Sequence, residues 1–148
     1  GEHSRKRLEK KYSNIPIGDP GLLSSLIYDR GISVGKKIGI VPHYMDEEEE
    51  ILAKAKAKKD DYEIISVKDT PENGAKKVTQ CKLILSSSLH GLIVADSFNI
   101  PNAHLKLSGN LTGGDFKFID YYSGLNRSHK SVSGSDIYDT EKIEKLIT

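Results

Sequence analysis

Apolar and polar positions along the chain follow two alternating patterns. Short apolar runs typical of buried strands occur at residues 37–42, 62–67, 83–85 and 103–107, and segments with apolar residues at helical spacing separate them. Parallel neighbours in a sheet need crossover connections, which helices normally supply. The alternation therefore predicts an α/β fold, a Rossmann-like parallel sheet with helices on both faces.

The third strand leads into the most informative stretch of the chain. After residues 83–85 come Ser86, Ser87 and Ser88, and then a segment that is apolar on all sides apart from His90. A segment of that composition predicts a buried helix. The peptide N–H groups of a first helical turn lack partners within the helix, and the helix dipole favours negative charge there. With the serine hydroxyls as further donors, this junction predicts an anion-binding site.

Further polar residues follow other strands of the predicted sheet. His43 comes directly after the first strand, Lys106 and Ser108 end the fourth, and Lys117 and Asp120 lie three apart in the next helical segment. Ligands of parallel α/β sheets bind at the carboxyl ends of the strands, so we expect these side chains to meet the serine turn there. Cations, hydroxyls and imidazoles around a helix N-terminus suit a phosphate or a carboxylate.

The sequence lacks the patterns of several other chemistries. It contains no Gly-x-Gly-x-x-Gly fingerprint, no phosphate loop, no cysteine or histidine spacing for zinc and no nucleophile elbow. The acidic run at residues 46–50 suggests a metal site or an acidic patch, but lysines fill the later turns. We therefore interpret it as the start of a helix whose charges complement its dipole. We expect neither a metal nor a cofactor.

The patterns divide the chain into three segments. Residues 1–17 form a basic arm or helix, residues 18–125 the Rossmann-like domain, and residues 126–148 a serine- and glycine-rich linker followed by a terminal helix over 140–147. The domain opens with a capped helix over 20–31. Near its end it carries four aromatic residues, which either cover the sheet or stack on a sugar ring. They are Phe116, Phe118, Tyr121 and Tyr122.

The amino-acid composition limits the cellular compartment and the binding partners that we expect. The 148 residues include 22 basic and 21 acidic side chains, a formal net charge of +1, so no global charge points to nucleic acid. The one cysteine excludes an internal disulfide, and we expect a reducing cytosolic setting. No apolar run approaches the roughly 18–20 residues that a membrane-spanning helix needs.

Four ordered blocks of the chain carry a resemblance to a known family. They are residues 18–21 (GDPG), 40–44 (IVPHY), 86–101 (SSSLHGLIVADSFNIP) and 116–122 (FKFIDYY). Together they resemble the polysaccharide pyruvyl transferases. The resemblance implies a build similar to GT-B glycosyltransferases, in which two Rossmann-like domains face a cleft. It also implies that this chain is the carboxyl-terminal domain and that the amino-terminal half is missing.

An activity in exopolysaccharide or surface-glycan synthesis follows from the same resemblance. Members of the family transfer pyruvate from phosphoenolpyruvate to two hydroxyls of one sugar, forming a cyclic ketal and releasing phosphate. His90 matches the family's motif histidine and is expected to contact phosphate or to donate a proton. The partners are then phosphoenolpyruvate and a glycan or lipid-linked sugar, in the cytosol or at the inner face of the membrane. The isolated domain is expected to be inactive.

One position departs from the family pattern. Where described members read Arg-Leu-His, this chain has Ser-Leu-His at residues 88–90, which removes a bidentate contact to an anion. Lys106, Lys117 or the missing domain would then supply the charge. Two other interpretations stay open. One is a nucleotide-sugar-binding domain of a GT-B glycosyltransferase, in which Asp120 is the better acidic contact for a ribose, and the other is a non-catalytic module.

Overall fold

The computed structural model describes residues 35–43, 50–107 and 115–147, and these form a five-stranded parallel sheet with helices on both faces, the Rossmann-like arrangement that the sequence predicts. The strands are β1 (Lys37–Val41), β2 (Tyr62–Ile64), β3 (Cys81–Ser86), β4 (Asn102–Lys106) and β5 (Ser131–Ser133). The helices are α1 (Ala53–Ala57), α2 (Pro71–Thr79), α3 (Leu89–Ser97), α4 (Phe116–Gly124) and α5 (Thr140–Ile147), with short 3-10 turns at Glu50–Leu52 and Gly134–Asp136.

The order of the strands places a switch point in the middle of the sheet. The order is β2-β1-β3-β4-β5, and all neighbours are parallel. From β1 the chain moves to one side to form β2, and it then crosses back to form β3 on the other side of β1. The crevice at the carboxyl ends of β1 and β3 is therefore the place where an open α/β sheet binds ligands. His43 and the serine turn at 86–88 lie there.

Separate hydrophobic cores fill the two sides of the sheet. On one side, α1 and α5 cover Ile40 and Leu85 of the central strands. On the other side, α2 and α3 cover Val41 and Ile84, and α3 also packs against α4 through Leu92. Because α3 contacts the sheet and both neighbouring helices, it needs apolar residues on every face. The prediction of a buried helix after the serine turn is confirmed.

Local sequence signals account for most of the positions at which the helices and strands begin and end. Thr70 caps α2 by accepting a hydrogen bond from the Asn73 N–H at 3.2 Å, and Pro71 occupies the first helical position. The terminal helix over Thr140–Ile147 is confirmed. The structure extends the third predicted strand at both ends, to Cys81–Ser86, and ends the second at Ile64.

The prediction of a linker before the terminal helix is wrong at residues 131–133. Ser131–Ser133 form β5, which pairs in parallel with β4 and places Val132 opposite Leu105. A three-residue edge strand with one apolar side chain has no periodicity to detect, and its hydrogen bonds depend on the backbone of β4.

The predicted arm at 1–17 and the helix at 20–31 lie outside the described residues. No helix in the described part is long and apolar enough to cross a membrane.

Gly91, in the first turn of α3, determines how closely that helix approaches β1. A Cβ at this position would meet the Ser86 hydroxyl and would lie 2.9 Å from the Cβ of Val41. Val41 belongs to a central strand and cannot move aside without disturbing the sheet. We predict that Gly91→Ala lowers the free energy of unfolding by about 1–3 kcal/mol, measured by urea denaturation.

Gly74 supplies the matched control, because no atom lies within 4 Å of a Cβ built there and α2 continues through it. Gly74→Ala should raise the free energy of unfolding by about 0.5–1 kcal/mol, since alanine loses less backbone entropy than glycine in a helix interior. Equal stabilities of the two variants would contradict the close contact of α3 with β1.

Candidate functional site

Hydrogen bonds from two serines tie β1 and β3 together at the switch point. The Ser86 hydroxyl lies 2.9 Å from the Val41 carbonyl and 2.6 Å from the Ser88 carbonyl, and it accepts the Ser88 N–H at 3.0 Å. The Ser87 N–H donates to the Val41 carbonyl at 3.1 Å, and the Ser87 hydroxyl accepts the His43 N–H at 2.7 Å. Both serines are fully buried. Their hydroxyls therefore fix the shape of the two loops, and a role as ligand donors stays a prediction.

His90 stands at the surface of this framework. It is the second residue of α3, its side chain is exposed, and it lies at a small pocket of about 100 Å³ between the starts of α2 and α3. The pocket is lined mainly by apolar side chains, among them Val41, Val78 and Val94. Ser88 is the N-cap residue of α3, but its side chain makes no capping hydrogen bond. Of the first-turn N–H groups of α3, that of Gly91 donates to the Ser88 carbonyl at 3.2 Å, whereas those of Leu89 and His90 have no acceptor among the described residues.

The other predicted site residues form a second group, near the end of β4. Lys106 Nζ lies 2.5 Å from the Asp115 carboxylate, and this hydrogen bond holds the pKa of Asp115 below its usual value. Lys117 Nζ lies 5.3 Å from the centroid of the Phe118 ring. Among the described residues, no hydrogen bond or ion pair links Lys106 or Lys117 to His90. Asp120 is buried, with 6% of its surface exposed.

Ser108, a predicted site residue, lies outside the described residues. The four aromatic residues predicted to cover the sheet or to stack on a sugar differ in their burial. Phe118, Tyr121 and Tyr122 are buried and cover the sheet and α3. Phe116 is 39% exposed, so stacking on a sugar ring stays a prediction for this side chain. Burial raises the pKa of Tyr122 to about 12, which keeps its hydroxyl protonated at neutral pH.

A pair formed by the buried His104 and the half-buried His129 lies beside this segment, and no sequence pattern singled it out. His104 Nδ1 lies 2.9 Å from His129 Nε2, and the His104 ring stacks on Phe118 with centroids 3.5 Å apart. Burial lowers the pKa of His104 from 6.5 to about 4, with a further contribution from His129. Burial also lowers the pKa of His129. A histidine that alternates with apolar residues along β4 was the available signal, but its partner lies 25 residues away.

Asp96 is a second residue whose role only the structure reveals. Its carboxylate accepts hydrogen bonds from the Tyr121 hydroxyl at 2.5 Å, the Asn102 amide at 2.6 Å and the Arg127 guanidinium at 2.7 Å. These donors come from α4, from β4 and from the turn after α4. Asp96 therefore holds α3 against the elements beside it. No group of three or more potential metal ligands occurs among the described residues.

Comparison with known proteins identifies a family and a relative that the chain resembles. A family model described as polysaccharide pyruvyl transferase matches residues 1–108, which include β1 to β4, the switch point and His90. An uncharacterized protein of Acanthamoeba polyphaga mimivirus is 35% identical over 128 residues. The alignment covers 82% of this chain and 45% of that relative, so the chain spans less than half of the relative's length. No solved structure matches the chain.

The histidine pair should make stability depend on pH, through the buried His104. Because burial depresses the pKa of His104 to about 4, the unfolded chain takes up a proton below about pH 6.5 that the folded chain resists. The stabilisation is therefore complete at neutral pH and is lost as the pH falls towards 4. We predict a loss of about 2–3 kcal/mol in the free energy of unfolding between pH 7 and pH 4.5, measured by urea denaturation.

One variant tests whether this pair is the source. His104→Gln should flatten the pH dependence, because it removes the group whose pKa is lowered. If the pH dependence has the same slope in His104→Gln as in the unmodified chain, the assignment to the pair is wrong.

Proposed function

The chain belongs to the polysaccharide pyruvyl transferase family, and we propose that the full protein transfers pyruvate from phosphoenolpyruvate to two hydroxyls of one sugar. The single observation that carries this proposal is the place of His90. It lies within the family match, at the switch point of the sheet, exposed in the first turn of a rigidly held helix. An imidazole there can deliver a proton to a substrate bound in the crevice.

The proposed reaction balances without an oxidant or a further cofactor. Two sugar oxygens form bonds to C2 of the enolpyruvyl group, and the bond between C2 and the phosphate oxygen breaks. The methylene carbon gains a proton and becomes a methyl group, and phosphate leaves with the second proton. The two protons come from the two sugar hydroxyls, by way of groups on the enzyme. The catalytic requirement is thus one acid at the methylene carbon and positive potential around phosphate and carboxylate.

Each requirement has a candidate in the described residues. We assign His90 as the acid, and the N–H groups of Leu89 and His90 together with the dipole of α3 as the contact for an anionic group. The apolar pocket of about 100 Å³ beside His90 is of a size to receive the methyl group that forms. Ser86 and Ser87 act as positioning residues, because their hydroxyls are bonded within the junction. Lys106, the last residue of β4, and Lys117, in α4, are proposed to attract the anion.

We propose further that the chain forms one wall of a cleft in a GT-B-like enzyme. The coverage of less than half of the viral relative supports this, as does the exposure of His90 at the carboxyl edge of the sheet. The facing domain would then bind most of the glycan acceptor. The isolated chain should show no turnover, because half of such a cleft is absent.

Ligand titration of the full-length protein tests the donor. We expect phosphoenolpyruvate to bind saturably and to perturb the His90 imidazole in NMR spectra, and His90→Ala to weaken binding or to abolish ketal formation. His43→Ala tests the second imidazole predicted at this edge. The backbone N–H of residue 43 makes the bond to Ser87, so the substitution preserves that bond, and weaker binding in this variant would make His43 a further contact for the anion. The absence of any response to phosphoenolpyruvate would refute the proposal, and saturable binding of a nucleotide sugar that His90→Ala weakens would favour the glycosyltransferase interpretation.

Ser88→Arg is the second test, because it restores the arginine of the family pattern. The Ser88 side chain makes no capping hydrogen bond, so its replacement costs α3 no cap. A bidentate, charge-assisted contact should tighten phosphoenolpyruvate binding about tenfold or more, measured by calorimetry. Ser88→Lys should gain less, since an ammonium group lacks the planar fork of a guanidinium. Unchanged affinity in Ser88→Arg would place the anion elsewhere.

A further inference from the structure

A second pocket lies on the opposite face of the sheet from His90. It occupies about 340 Å³ between α1 and α5, and Lys36 and Lys82 place one end of it at the amino edge of the sheet. Its floor consists of isoleucines, and Tyr62 and Tyr138 form one wall. Sites for small molecules typically occupy about 300–1,000 Å³, so this pocket is large enough for a ligand of modest size. We call it the lysine groove.

Four lysines from separate parts of the chain converge on the lysine groove. None of them forms an ion pair with another described residue, although Asp61 and Glu144 also line the pocket. Four cations and two anions leave the lining with a net charge of +2. The four are Lys36, Lys54, Lys58 and Lys82.

Five lysines elsewhere in the described chain pair with carboxylates at distances between 2.5 and 3.6 Å. An excess of ammonium groups around one pocket raises the local potential, which favours an anion there. Salt weakens this effect beyond about 8 Å but does not remove it within a pocket. The five paired lysines are Lys37, Lys76, Lys77, Lys106 and Lys142.

The aromatic wall is held in place before any ligand arrives. The Tyr138 hydroxyl donates to the Ile51 carbonyl at 2.7 Å and accepts the Ala55 N–H at 2.9 Å. The rings of Tyr62 and Tyr138 meet edge to face with centroids 5.5 Å apart, and Lys54 Nζ lies 4.7 Å from the centroid of Tyr138. A fixed apolar and aromatic surface beside unpaired cations suits a ligand with a ring at one end and phosphate at the other.

We propose that the lysine groove binds a phosphate-bearing ligand that also carries a ring, with a nucleoside diphosphate as the model compound. The phosphates would contact the lysines, and the ring would lie on the tyrosines and on the isoleucine floor. The groove and the His90 site lie on opposite faces of the sheet, so the two sites are distinct. The inference does not depend on the proposed transferase activity.

Calorimetric titration of the chain with uridine diphosphate, and separately with inorganic pyrophosphate, tests this proposal. We expect saturable binding of uridine diphosphate that weakens as salt rises, and weaker binding of pyrophosphate, which lacks the ring. The double variant Lys54→Ala/Lys58→Ala should reduce affinity at least tenfold. Lys36→Ala/Lys82→Ala, at the other end of the groove, should act in the same direction. Circular dichroism would show that these exposed substitutions leave the fold intact.

Two controls separate a built site from general charge attraction. Lys76→Ala/Lys77→Ala removes the same charge from α2, away from the groove, and should leave affinity unchanged. His90→Ala should also leave it unchanged. Absence of saturable binding, an equal loss in the α2 double variant, or a loss in His90→Ala would each overturn the proposal. Pyrophosphate binding as tight as that of uridine diphosphate would overturn the role assigned to the tyrosine wall.

Discussion

The contact between the start of α3 and the end of β1 is the constraint on which the rest of the structure depends. β1 and β3 are neighbours that send their following segments to opposite faces of the sheet, so their loops separate at the switch point. The Ser86 hydroxyl and the Ser87 N–H both reach the Val41 carbonyl and hold the two strand ends together. Gly91 allows α3 to lie directly on Val41. The position of His90 is a consequence of this packing.

Polar groups in this protein divide into those used by the fold and those left for a ligand. Buried polar groups are costly unless they are hydrogen-bonded, and Ser86, Ser87 and Asp96 each have internal partners. Asp96 collects three donors and secures α3 against α4, so the helix that carries His90 is held along its length. Groups fixed on such an element can act on a substrate with little reorganisation. Among the described residues, the side chains of His90 and of the four lysines of the groove form no hydrogen bond or ion pair.

Much of the fold was predictable because its signals are local. Alternation of short apolar runs with helical spacing predicts a parallel sheet, and a segment that is apolar on all sides predicts the buried α3. The Thr70-Pro71 pair marks the start of α2 through its own backbone requirements. The position of His90 after a strand and a serine turn also follows from the sequence, since parallel strands place their carboxyl ends at one edge.

The sequence by itself thus determined the class of fold, the order of the elements from β1 to β4 and the position of His90 at the carboxyl edge of the sheet. Only the tertiary structure decided which polar side chains are bonded within the fold, because that depends on partners far apart in the chain. Serine hydroxyls at a helix start suit an anion, yet Ser86 and Ser87 bond across to β1. β5 exists because β4 offers it an edge. His104 and His129, and the lysines of the groove, come together only when the sheet and its helices are assembled.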